Sequence, residues 1–171
     1  MMDFDFPDEI AQRADARKLE GCYVNIGRDF LSSRGRRVLA YWDEKRGAAD
    51  MPDWQDIELM DLWDIAPRLM VKDRVGDDEW RNRYYGTALA TCLGRDATGL
   101  LIRDYHPATE VSDILEGYRW MVDARAPLRA IGFIVQEDAE HVFYEGVYLP
   151  LTSGADRVEK MLALPDYDFL T

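Results

Sequence analysis

Two cysteines and two histidines are all that this chain of 171 residues contains, and their scarcity removes much chemistry at once. Cys22 and Cys92 stand far apart with no Cys-x-x-Cys spacing, so both read as reduced packing residues rather than a disulfide or a metal pair. No apolar run approaches the roughly 20 residues that a membrane span needs. The N-terminal MMDFDFPDE is acidic where a targeting segment is basic and then apolar. A cytoplasmic, soluble protein with no membrane partner is the expectation. Basic charge is also short: 21 Lys and Arg against 33 Asp and Glu leave a formal net charge of -12. That field repels phosphate backbones, and the run Arg34, Arg36, Arg37 reads as a solvated helix face, so no nucleic-acid partner is expected. A phosphate loop is missing as well. Gly94 and Gly99 have the Gly-x4-Gly shape, but no Lys-Ser/Thr follows.

What is present supports a folded domain. The chain is 47% hydrophobic and 12% aromatic, enough to build a sizeable core. Residues 1–30 read as a helical appendage, with Ile10, Ala11, Ala14 and Leu19 as one weak apolar stripe ended by Gly21, and 31–171 as the main domain. Leu31, Val38, Leu39 and Trp42 line one side of a second helix closed by Gly47. Asp53 is placed to cap a short turn at Trp54. The dense apolar stretch from Ile57 to Ile65 predicts one or two short helices before Pro67.

Residues 68–75 predict a strand, and Gly76-Asp77-Asp78-Glu79 a hairpin turn into a second strand. In that second strand Trp80, Asn82 and Tyr84 alternate with Arg81, Arg83 and Tyr85, the period of a half-buried strand. Gly86-Thr87 stops it, residues 88–93 read as a short helix, and Gly94 to Gly99 as turns. Residues 109–124 carry the clearest helix, with Val111, Ile114, Leu115, Tyr118, Met121 and Val122 on one face. Strands over 128–136, 141–151 and 157–164 follow. Five antiparallel strands with helices inserted after the second make an α+β domain: a five-stranded sheet with helices on one face, plus N-terminal helices.

The blocks LAYWDEKRG (39–47), MPDWQDI (51–57), RLMVKD (68–73), WRNRYYGTAL (80–89), GRDATG (94–99), YEGVYLPL (144–151) and RVEKMLA (157–163) resemble the alphaproteobacterial single-domain PAS-like family. The resemblance runs from Val38 to Leu164. It implies a PAS sheet, a short-helix region over 87–99, a long connecting helix over 109–124 and an enclosed pocket. It also implies a sensory or signalling role, with a small ligand, a homodimer or a partner protein. Asn82 departs from the family pattern, which places an aromatic or apolar residue there. A buried amide without partners costs about 1–3 kcal/mol, so Asn82 faces either water at an edge or a polar ligand.

Within that frame the ligand-binding candidates are Tyr84, Asn82, Leu89, Leu93, Tyr118, Phe133 and Tyr148, large apolar groups with a few polar tips. The same side chains would equally fill a closed core. The cofactor is left unknown. Haem has no histidine on the 109–124 helix to bind it; His106 lies just before that helix and His141 at a hairpin corner. Cys92 lacks the surroundings of a flavin-reactive cysteine, and no residue cluster suggests a metal. A catalytic residue is not expected. The rival reading is a small enzyme on a cone-shaped α+β fold using Glu145, whose strand face carries Phe143, Val147 and Leu149. Burial there would raise its pKa, although pairing with Arg81 or Arg83, or exposure at the sheet surface, is the simpler outcome.

Overall fold

In a computed structural model the described residues are 17–19, 22–134 and 142–167; the side chains at 17–19, 133, 134 and 142 lie outside that description. Seven strands among the described residues form one sheet: β1 (Arg17–Leu19), β2 (Cys22–Ile26), β3 (Met70–Gly76), β4 (Glu79–Tyr85), β5 (Leu128–Ile134), β6 (Val142–Leu151) and β7 (Lys160–Tyr167). Their order is β1-β2-β5-β6-β7-β3-β4, and every strand pairing is antiparallel. The expected five strands are β3 to β7, with the chain returning to place β7 beside β3. Among the described residues three α-helices accompany them: α1 (Ser33–Arg46), α2 (Thr87–Leu93) and α3 (Ala108–Ala124).

The N-terminal segment departs from expectation. The helix read over residues 8–20 ends in Arg17–Leu19, which is strand, and residues 8–16 lie outside the described ones. Tyr23, Val24 and Ile26 are strand formers, and β2 pairs with β5 from Cys22↔Gly132 to Ile26↔Leu128. A ladder along the otherwise open β5 edge favours extended backbone over 22–26.

Both faces of the sheet are covered. On what is here termed the inner face, α3 packs over β2, β5 and β6: Gly117 lies against Leu128 and Val24, and Tyr118 meets Tyr148 and Trp80 with ring centroids 5.5 and 5.6 Å apart. The outer face takes α1, whose Gly35 lies against Val147 and whose buried Trp42 donates Nε1–H to the Pro150 carbonyl at 2.9 Å. Short 3-10 turns at Trp54–Asp56, Leu59–Leu62 and Ala66–Arg68 lead from α1 to β3. The local punctuation follows the residues. Ser32 caps α1 by accepting from Gly35 N–H, Gly47 ends it at φ 54°, Asp53 accepts from Gln55 N–H, and Gly94 ends α2 at φ 70°.

Candidate functional site

The β3–β4 hairpin decides which side chains reach the inner face. Its register runs Val71↔Tyr84 and then Lys72↔Asn82, so Arg83 is an extra residue on β4. Such a bulge breaks strict alternation. Trp80 and Asn82 point inward as their spacing suggests, but Tyr85 joins them, whereas Tyr84 pairs with Val71 on the outer face and donates its hydroxyl to the Ala66 carbonyl at 2.9 Å. Tyr84 is therefore not an inner-face group.

Asn82 is 1% exposed and finds partners inside the fold rather than at a wet edge. Its Nδ2 donates to the Ala97 carbonyl at 3.0 Å and to Tyr105 Oη at 2.9 Å. Its Oδ1 accepts from Lys72 Nζ, which also lies 2.9 Å from Tyr105 Oη. Lys72, Asn82 and Tyr105 thus close a triangle of mutual hydrogen bonds. Lys72 is 1% exposed, and burial holds its ammonium pKa down at about 7. Burial also pushes the Tyr105 phenol up to about 12.

Around this node the inner face is aromatic and aliphatic. Tyr85 lies 6.4 Å from Tyr105, ring centre to ring centre, in an edge-to-face arrangement. Leu89 of α2 and Tyr118 of α3 are buried beside the same core, and Tyr148 packs against Tyr118. Burial keeps Tyr118 and Tyr148 protonated by raising both phenol pKa values. Leu93 is 39% exposed at the end of α2 and does not join this group. The Phe133 side chain lies outside the described residues. Of the expected set, Asn82, Leu89, Tyr118 and Tyr148 share the inner face; Lys72 and Tyr105 belong with them and were missed. A regular hairpin from Gly76↔Glu79 would set Lys72 across from Arg83; the pairing with Asn82 arises because the register shifts between Arg74 and Gly76, which no local signal announces.

Two open cavities lie elsewhere, at the Arg125 end of α3. One of about 230 Å³ is lined by Trp42, Arg46 and Pro127 among others, and one of about 460 Å³ by Asp53, Thr152 and Asp156 among others. Neither includes a residue of the node.

Glu145 belongs to a separate polar assembly on the outer face. It is fully buried and accepts from Leu31 N–H at 3.0 Å, Ser32 N–H at 2.8 Å and Arg129 Nε at 2.7 Å. Its cross-strand neighbour on β7 is Asp166, also fully buried. Facing carboxylates repel, and cations and a hydroxyl offset that repulsion: Asp166 accepts from Ser32 Oγ and from Arg34 Nε at 2.8 Å. Glu145 is thus paired with Arg129, not with Arg81 or Arg83, and it staples the start of α1 to the sheet. His106 sits half-buried with Nδ1 3.3 Å from Glu110, and its ring lies 4.6 Å from that of Tyr105. His141 lies outside the described residues. Cys22 and Cys92 form no disulfide, and burial pushes the Cys22 thiol up to about 11. Among the described residues no helix is long and apolar enough to cross a membrane.

Within the seven-stranded sheet, β3 to β7 in the order β5-β6-β7-β3-β4, with a long helix over their inner face, make an antiparallel α+β domain. The PAS domain family model matches residues 31–164, and the chain belongs to that family. Among solved structures it is similar to an RNA-binding light-oxygen-voltage receptor, at 14% identity and a TM-score of 0.49. That likeness covers 86% of this chain and 38% of the receptor's. No curated protein matches the sequence.

Proposed function

We propose that this PAS domain is a sensory or protein-interaction module whose input is a small ligand taken up between the inner face and helices α2 and α3. The output is self-association or contact with a partner protein, with the outward side of α1 as a contact surface. One observation carries the reading: Lys72 and Asn82, each 1% exposed, converge with the half-buried Tyr105 among largely apolar neighbours at the β4 side of the sheet. A domain selected for stability alone is better served by apolar side chains there, because buried polar groups must be fully satisfied merely to avoid a penalty. The net charge of -12 supports a protein or small-molecule partner over a nucleic acid.

A thermal-shift screen of chemically varied fragments tests this. A ligand held only by the folded state at about 100 times its Kd adds about 2.7 kcal/mol. Compounds should raise the Tm of the wild type and not of Asn82→Leu, and light scattering should then show a change in assembly state or partner affinity. If no fragment shifts the Tm, and Asn82→Leu is simply more stable, the node is structural and the sensory reading fails. The enzymatic alternative has no comparable support, since the Glu145 carboxylate is enclosed and occupied on the opposite face of the sheet.

A further inference from the structure

Three cationic side chains are buried among the described residues: Lys72, Arg129 and Lys160. Arg129 is paired with Glu145 and Lys160 with Asp73. Lys72 has no carboxylate among the described residues. Its partners are the neutral Asn82 amide and the Tyr105 hydroxyl, with the Tyr105 ring beneath it at 5.6 Å.

A proton count sharpens the point. With an ammonium at Lys72, Tyr105 Oη receives N–H groups from both Lys72 and Asn82. The phenol proton then has no acceptor among the described residues. With a neutral amine, the phenol donates to the Nζ lone pair, Nζ donates to Asn82 Oδ1, and Asn82 Nδ2 donates to Tyr105 and Ala97. The triangle closes only in that second state. A protonated Lys72 is left without a counter-anion among the described residues.

We propose that the node binds the carboxylate of a small organic acid, which replaces the Tyr105 hydroxyl as the partner of Lys72. The inference rests on the sensory reading above and adds to it the chemical class of the ligand. The acid gives up its proton to Nζ, so an amine and a neutral acid become an ammonium and a carboxylate with no net charge brought into the core. Asn82 Nδ2 supplies a further donor to the same carboxylate. The ring-lined surroundings, Tyr85 and Tyr118 above all, suit an aromatic acid of about the size of the phenol it displaces. Tyr105 is half-buried in the segment between a 3-10 turn at Ile102–Asp104 and α3, so its ring can leave without unpacking a strand.

The titratable groups around the node are Tyr85 on β4, Tyr118 on α3, Tyr148 on β6, Cys92 on α2, Asp96 in the loop after α2, and His106 paired with Glu110 at the start of α3. Burial raises the pKa of all three tyrosines, so they stay neutral. His106 is the group that a control must remove.

Calorimetry on the full chain with benzoate, and with benzamide as its neutral counterpart, reads the proposal in buffers from about pH 6 to about pH 9. Benzoate should bind in preference to benzamide. Its affinity should fall roughly tenfold per pH unit above about 7, with close to one proton taken up per ligand at the alkaline end. Lys72→Met should abolish binding and His106→Gln should leave it intact. Asn82→Asp, which installs an internal carboxylate beside Lys72, should also abolish binding and is the second variant should Lys72→Met not fold. Equal affinity for the two compounds, a flat pH profile, or binding that survives both Lys72→Met and Asn82→Asp overturns the proposal. Absence of benzoate binding also overturns it. If neutral fragments still bind in an Asn82-dependent way, the sensory reading stands without it; if nothing binds, both fall.

Discussion

Removing the Glu145 carboxylate should unseat α1 from the sheet. Glu145 accepts three hydrogen bonds at 2.7 to 3.0 Å, from Arg129 and from two backbone N–H groups at the start of α1. Truncation to alanine leaves a buried guanidinium and two N–H donors without that partner. Breaking one side of a buried ion pair costs about 3–5 kcal/mol. For a domain of this size that corresponds to a Tm lowered by roughly 6–20 °C. Urea unfolding of Glu145→Ala, followed by tryptophan fluorescence with Trp42 of α1 among the reporters, measures it. The double variant Arg129→Met with Glu145→Leu separates two accounts. An ordinary buried ion pair is often replaced by apolar groups at little cost. Here the Leu31 and Ser32 N–H groups still lack an acceptor, at about 1–3 kcal/mol each, so recovery should be partial. A loss below about 1 kcal/mol for Glu145→Ala, or full recovery in the double variant, would refute the stapling role.

Four further outcomes follow from the geometry. Lys72 has a folded pKa of about 7 against an ordinary 10.5, so the unfolded chain binds more protons between those values. Wild-type stability relative to Lys72→Met should therefore rise from about pH 7 upward, by on the order of 1 kcal/mol per pH unit, and be flat below pH 7; denaturant titrations at several pH values show whether it does. Gly86→Ala should cost more than about 3 kcal/mol, because a Cβ there falls inside the backbone carbonyl of Pro67 and neither partner can step aside. Ser32→Ala removes both the cap on Gly35 N–H and a donor to Asp166, so a loss of about 1–2 kcal/mol is expected by thermal unfolding. Tyr84→Phe should lose about 1 kcal/mol with its bond to Ala66. It should leave fragment binding untouched, and an effect on binding would contradict its place on the outer face.

Much of the fold was legible in the sequence because periodicity and punctuation agreed. The α3 stripe, the Gly47 and Gly94 helix ends, the Asp53 cap and the Gly76–Glu79 turn are local signals, and each element formed within a few residues of where it was expected. The failures are non-local. Arg17–Leu19 and Cys22–Ile26 are strands because β5 offers them an edge, and no local pattern announces that edge. Tyr84 lies on the wrong face because one extra residue at Arg83 reverses the alternation beyond it, which only the register against Val71 reveals. Lys72 reads as a solvent-facing residue by type. Its burial is dictated by the strand it sits on and by the helices that cover that face. Glu145 was singled out for the right reason, an apolar strand face, but its partners come from Arg129 and from Leu31 and Ser32, far off in sequence.

The hairpin β1–β2 carries a consequence for the chain's behaviour in a crowded solution. Without it, the seven-residue strand LRAIGFI (Leu128–Ile134) would be the rim of the sheet. A strand of that composition, with its donors and acceptors bare, is a template on which another molecule can add. The opposite rim is shielded differently: Asn82 N–H donates to Leu100 and Gly99 N–H to Asn82, so a loop already occupies the outer side of β4. Trimming the chain up to Gly27 should therefore leave the PAS core folded yet prone to self-templated precipitation, with β5 as the growing edge.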